Sequence, residues 1–243
     1  MNLGRSFTYM FDDDNWFSKY LIGSLVAMVP ILNFAVVGYG IEIMRSMARG
    51  DMVPLPSWDD LGQKFVDGLV IIVVSIIYTI PGLLLAIIPA ALFALPALST
   101  DQSTQEVLVS AAVLGYCCLC GIAGLYFLAY SFFFPALEVR YARTGEFGEC
   151  FQVKKILDLA TTNISDYILA WLVGLVAGLI AGAVGTIMFI LISWIPCIGW
   201  ILTIIVLGVL TFWSLSVASY AYGMVGLHLG GESAPMEPEG GAE

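Results

Sequence analysis

Apolar runs long enough to cross a bilayer alternate with short polar bridges along this chain. A helix rises 1.5 Å per residue, so about 20 apolar residues traverse the ~30 Å hydrocarbon core. Residues 69–98, 107–137, 168–195 and 201–227 each meet that length, and the pattern predicts four spans there. The earlier run at 20–47 is also long enough, but V-P-I-L-N-F at 29–34 interrupts it. Proline removes a backbone donor and disfavours helix in the residue before it. Two shapes stay open for 20–47: one kinked span, or a broken hairpin that turns inside or near the far interface.

The polar bridges carry a helical period of their own. Residues 2–18 predict an interfacial amphipathic helix, with Leu3, Phe7, Met10 and Phe11 on one face. Ser57 and Asp60 have the spacing of a capping box variant and predict a helix start at Trp58. The interfacial helix 57–67 would turn Trp58, Leu61, Phe65 and Leu69 inward, and Asp59, Gln63, Lys64 and Asp67 to water. Pro81, Pro89 and Pro96 predict bends in the span that follows. After the third span, Phe147, Phe151, Val153, Ile156, Leu157, Ala160 and Ile164 line a second amphipathic helix. W-I-P-C-I-G-W at 194–200 predicts a tight turn flanked by interfacial Trp. The acidic, Gly- and Pro-rich residues 231–243 predict a disordered tail after one membrane domain, 1–230.

The bridges repeat. I-E-I-M-R-S-M-A-R-G-D at 41–51 resembles L-E-V-R-Y-A-R-T-G-E at 137–146, and VPILNF at 29–34 resembles IPCIGW at 195–200. Units at 2–50, 57–146 and 147–231 would each hold an interfacial helix and two hydrophobic helices. Shared orientation then favours the hairpin for 20–47. Charge counting points the same way. With a hairpin, all nine Lys and Arg fall on one side, and only Asp101 and Glu106 among charged residues fall on the other. Lys and Arg set orientation. The expected location is the cytoplasmic membrane, multi-pass, with both termini cytoplasmic. The fold class is all-α: a polytopic transmembrane bundle with interfacial helices, built as a degenerate repeat of helical hairpins.

Composition sharpens the class. Hydrophobic residues make up 60% and charged residues 12%, with a mean hydropathy of +0.93. Soluble domains carry about 25% charged residues. The net charge of −10 excludes nucleic acid as a natural partner and leaves membrane lipids and membrane proteins. Five cysteines, three of them at 117–120, form no disulfide framework. Cys117 and Cys120 share a helix face, but a metal needs two more ligands and His228 is the only histidine. No cofactor, metal or catalytic motif is expected.

The candidate residues are therefore interfacial. Glu42 and Arg45, three apart, can pair on one helix, whereas Glu138 and Arg140 are two apart and need not. With Arg49, Trp58, Asp60, Asp67 and Arg143 they form either a docking or gating cluster at the membrane edge, or a set of snorkelling topology signals. Gly174, Gly178 and Gly182 extend a small-residue stripe that suits close helix packing, within the chain or between protomers.

G-Y-x-x-E-x-x-R at 38–45 and L-P-x-W-D-D-x-x-x-x-F-V-D-G-L at 55–69 resemble the prokaryotic membrane family catalogued as domain of unknown function 4013. A more distant similarity is to membrane domains attached to some glycerophosphodiester phosphodiesterases. The family resemblance implies a polytopic membrane protein and transfers no catalytic residues. The expected role is a non-catalytic scaffold, accessory or assembly subunit of a membrane complex, or a lipid-organising protein. The alternatives are a transporter or lipid-handling protein, and a membrane-embedded enzyme acting on lipid head groups.

Overall fold

The computed structural model describes residues 4–51, 55–92, 101–195 and 198–230, all helices and their connections. Eight α-helices follow in order among them: α1 Arg5–Thr8, α2 Trp16–Met28, α3 Asn33–Arg49, α4 Leu61–Leu92, α5 Gln102–Thr144, α6 Val153–Thr162, α7 Ile164–Ile192 and α8 Ile198–Gly230. Single 3₁₀ segments lie at Tyr9–Asp12 and Phe147–Phe151. The expected tail at 231–243, and parts of the stretches expected around Pro96 and the 194–200 turn, lie outside the described residues. Four of the helices, α4, α5, α7 and α8, are long and apolar enough to cross a membrane.

The chain divides into two compact units, Met1–Ile71 with Pro135–Glu243, and Ile72–Phe134. In the first, α8 is the central helix, packed against α7, α3, α2 and α1. Phe212, Val217 and Ala221 of α8 are fully buried. Tyr9 stacks on Tyr220 with ring centroids 4.1 Å apart and donates its hydroxyl to the Ser216 carbonyl at 3.1 Å. Burial among apolar and aromatic neighbours pushes the Tyr9 phenol well above its ordinary pKa, so it stays a neutral donor.

Local chemistry moves several expected boundaries. The N-terminal segment is not one helix over 2–18. It breaks at Asp13, whose carboxylate accepts the Asn15 amide at 2.7 Å and the Lys19 ammonium at 2.6 Å, a local bond that competes with helix. The run at 20–47 is two helices, α2 and α3, parted at Val29–Leu32. Gly50, at φ 82°, stops α3, and Gly145, at φ 69°, follows the end of α5; these are left-handed positions that glycine adopts without strain. The bridge at 57–67 is not a separate interfacial helix. Its helix begins at Leu61 and continues as α4 through Pro81 to Leu92, without a break before the span. The second bridge does keep a separate helix, α6, with Ile156, Leu159 and Ala160 buried and Lys154, Lys155 and Asp158 exposed.

The glycine stripe on α7 is divided between two faces. Tyr167, Ala170, Val173, Ala177, Ala181 and Gly185 are the buried residues of α7. Gly174 meets Tyr222 and Ala218 of α8, but a Cβ at Gly178 or Gly182 would meet nothing within 4 Å. The row that stays buried is Val173, Ala177, Ala181 and Gly185, which still meets Leu207 and Leu210; Gly178 and Gly182 each sit one residue, about 100°, around the helix from it.

The second unit is a pair of helical segments joined by polar groups inside an apolar surface. The Ser75 and Tyr130 hydroxyls lie 2.7 Å apart, and Tyr126 donates to the Tyr78 carbonyl. Asp101 caps α5: one carboxylate oxygen accepts the Ser103 hydroxyl at 2.5 Å, the Thr104 hydroxyl at 2.7 Å and the Thr104 amide at 3.0 Å. The Ser103 and Thr104 bonds hold its carboxyl down to about 2.

Two expectations follow. Gly68→Leu, where a side chain would enter the Phe34 carbonyl, should destabilise the protein by about 3 kcal/mol, and Gly178→Leu by less than about 0.5 kcal/mol; denaturation in micelles measures both. The Asp101 cap should be intact above pH 3.8, the ordinary value, and be lost as pH falls through about 2. Amide exchange over 102–105 should show that pH step, and Asp101→Asn should abolish it.

Candidate functional site

Two glycines decide where α3 and α4 meet. A Cβ at Gly38 would enter the Lys64 carbonyl, and one at Gly68 the Phe34 carbonyl, so the two backbones are in direct contact. This crossing sets charged residues of α4 against those of α3. Lys64 Nζ lies 2.6 Å from Glu42 Oε2, and Arg45 Nη1 donates to Asp67 Oδ2 at 3.1 Å. Glu42 and Arg45 do not pair with each other along α3; each reaches across to α4.

The network extends to α5. Tyr141 donates its hydroxyl to Asp67 Oδ1 at 2.9 Å, Gln63 donates to the same oxygen at 3.1 Å, and Arg45 Nε donates to the Ala142 carbonyl at 3.2 Å. The Lys64 side chain is 2% exposed and that of Asp67 4%. Of the wet face expected for this segment, Lys64 and Asp67 are turned inward while Asp59 and Gln63 stay exposed, and Leu61 and Leu69 of the expected inward face are turned outward. The two buried ions are the ones that face counter-charges on α3, and a charge at the start of an apolar span is costly unless paired.

A clasp closes the loop before α4. Lys19, already paired with Asp13, also donates to the Leu55 carbonyl at 2.8 Å, and Trp58 donates to the Lys19 carbonyl at 2.9 Å. Tyr39 donates to the Pro56 carbonyl at 3.1 Å and stacks on Trp58 with centroids 4.6 Å apart. Trp58 is thus half-buried and engaged within the chain, while Asp60 stays exposed with its carbonyl accepting the Lys64 amide.

The remaining candidates fall elsewhere. Arg49 is exposed, bonded to Ser46 at 2.9 Å and Asp51 at 3.3 Å. Arg140 pairs with Glu149, which also holds Lys155 at 3.1 Å and Gln152 at 2.6 Å. Arg143 is exposed. Glu138 is half-buried, within electrostatic reach of Tyr167 and Tyr222. Beside the Glu149 cluster, burial pushes the Cys150 thiol up to about 11, making it a poor nucleophile at neutral pH. The structure thus unites Glu42, Arg45 and Asp67, and separates them from Arg49, Arg143 and Glu138.

Lys64, Gln63, Tyr141 and Glu149 were not among the candidates. A signal for Lys64 was present. Glu42 and Arg45 read minus then plus at a spacing of three, and Lys64 and Asp67 read plus then minus at the same spacing. For Tyr141, 74 residues beyond Asp67, the sequence offers no comparable cue.

Four apolar helices with outward-facing Leu, Ile and Val, and charges collected in paired clusters, define a multi-pass helical integral membrane protein. Residues 21–190 match the family model described as protein of unknown function (DUF4013), and the chain belongs to that family. Searches of curated proteins and of solved structures returned no match.

Removing one member of the buried pair should cost more than removing both. Lys64→Ala leaves Glu42 without its partner and should destabilise by about 3 kcal/mol, the lower end for a broken buried pair because Glu42 is 30% exposed. Glu42→Leu with Lys64→Met should recover most of that loss. Unfolding of Lys64→Ala and of the double variant in micelles checks it.

Proposed function

We propose that the protein is a non-catalytic integral membrane subunit that scaffolds or helps assemble a larger membrane complex. The observation that carries this is the division of labour on α7. One face packs on α8 through Ala170, Ala177 and Ala181, while Gly178 and Gly182 stand open beside exposed Leu179. Small residues without a partner in their own chain let a foreign helix approach closely. The charged candidates support a structural role as well. Glu42, Arg45, Lys64 and Asp67 are held by one another, and Arg140 by Glu149. Acids and bases committed in this way position helices rather than transfer protons to a substrate.

The cytoplasmic membrane is the proposed location, with both termini on the cytoplasmic side. Residues 72–134 carry no Lys or Arg, which supports placing the α4–α5 connection on the opposite side.

Purification in mild detergent followed by mass spectrometry tests the role. A stoichiometric membrane partner is expected, lost on Gly178→Leu with Gly182→Leu while the protein itself stays folded. A lone monomer in native membranes would overturn the scaffold role. Lipid or solute flux by reconstituted vesicles would favour a transporter instead.

A further inference from the structure

Five of the nine basic residues each have an acid of their own. Arg5 pairs with Asp12, Lys19 with Asp13, Arg45 with Asp67, Arg49 with Asp51 and Lys64 with Glu42. The other four, Arg140, Arg143, Lys154 and Lys155, gather at the end of α5 and the start of α6 and share one. Glu149 takes Arg140 Nη2 and, at 3.1 Å, the Lys155 ammonium. Arg140 Nε is buried without a partner. Arg143, one turn beyond Arg140, and Lys154, beside Lys155, are exposed and make no ion pair among the described residues. Glu146 and Asp158 are exposed nearby and pair with none of the four. The cluster therefore keeps cationic charge that the rest of the chain neutralises.

The helix α6 gives its depth. Successive residues turn about 100° around a helix, which divides α6 into three faces. Ile156, Leu159 and Ala160 are packed against the protein. Exposed Val153 and Leu157 lie on one side of that face, and exposed Lys155 and Thr162 on the other. Lys154 stands between the last two sets. A packed face, a bare apolar face and a charged face together suit a helix lying in the plane of the membrane surface. Exposed Phe147 and Phe151, just before α6, are aromatics of the kind found at that level. The unpaired cations thus stand at the height of lipid head groups.

We infer that this cluster is a binding site for one anionic phospholipid, its phosphate held by Arg143 and Lys154 beside the Glu149 pair. The chemistry selects the occupant. A phosphate accepts from guanidinium and ammonium donors alike. A lipid of net negative charge neutralises the cations that Glu149 leaves over, whereas a zwitterionic lipid brings a cation of its own. The apolar side of α6 favours a lipid over a soluble anion or an acidic peptide. The site is independent of the scaffold role.

Lipid retention by the full-length protein tests this. The protein in mild detergent is mixed with equal amounts of phosphatidylglycerol and phosphatidylcholine and weighed intact by native mass spectrometry. The expected species carries one phosphatidylglycerol, preferred over phosphatidylcholine by roughly tenfold. Arg143→Gln with Lys154→Gln should abolish the preference, and Lys154→Gln alone should lower it roughly threefold; circular dichroism checks the fold. Arg143→Lys with Lys154→Arg keeps the charge and should keep the preference. Arg5→Gln with Arg49→Gln removes as much exposed charge where each base has its own acid, and should change nothing. Equal retention of the two lipids by the unaltered protein would overturn the site. So would a preference that survives loss of Arg143 and Lys154, or one lost equally with Arg5 and Arg49, the result that diffuse attraction of lipid to surface charge would give. Displacement of the lipid by millimolar inorganic phosphate would overturn it too, by marking a soluble ligand.

Discussion

The direct backbone contact of α3 with α4 at Gly38 and Gly68 is the constraint on which the rest of the ionic end depends. Any side chain at either position would hold the helices apart by the width of a methyl group or more. At the observed separation the Lys64 ammonium reaches Glu42 and the Arg45 guanidinium reaches Asp67. Asp67 then takes the Tyr141 hydroxyl, and Arg45 takes the Ala142 carbonyl, so the same crossing ties down the end of α5. The loop clasp of Trp58, Tyr39 and Lys19 closes over the start of α4. Three helices and one loop are thus indexed by two missing side chains.

Ion pairs of this kind contribute more to register than to net stability. Desolvating two charges offsets most of their mutual attraction, so a buried pair stands close to even against an apolar substitute. A shifted register, however, would leave an ammonium or carboxylate without a partner, at several kcal/mol each. The stabilising contribution lies with packing on α8, where Phe212 is enclosed by Tyr20, Tyr39 and Trp58 with ring centroids 4.9–5.9 Å away. Packing holds the helices together, and charge selects which arrangement is held.

Much of the fold was legible because membrane spans are written in length and hydropathy, which need no partner to be recognised. α7 and α8 appear within a few residues of their apolar runs for that reason. The bridge at 57–67 misled because the same amphipathic pattern has two solutions. Beside water the charges face out; beside lipid they face in, if a second helix supplies their counter-charges. Only the mirrored signs of Glu42, Arg45, Lys64 and Asp67 hinted at the second solution. Gly178 and Gly182 left a choice open. A stripe of small residues states that close approach is permitted, and the phase of the helix decides whether the chain itself uses it. Tyr141 was illegible because its contact spans a separation that no local pattern records.

The inward-facing charges of α4 also constrain the order in which the protein is made. Lys64 and Asp67 emerge from the ribosome some twenty residues after Glu42 and Arg45. Without those partners, each charge would oppose partitioning of α4 into lipid by up to about 3 kcal/mol, less near the helix end. α3 must therefore be waiting at the membrane when α4 arrives, and the two enter as a charge-neutral pair. Tyr141 is synthesised 74 residues after Asp67, so the last hydrogen bond to that carboxylate forms only once α5 has followed. The short, broken hairpin of α2 and α3 is thus the platform on which the first full span is admitted to the bilayer.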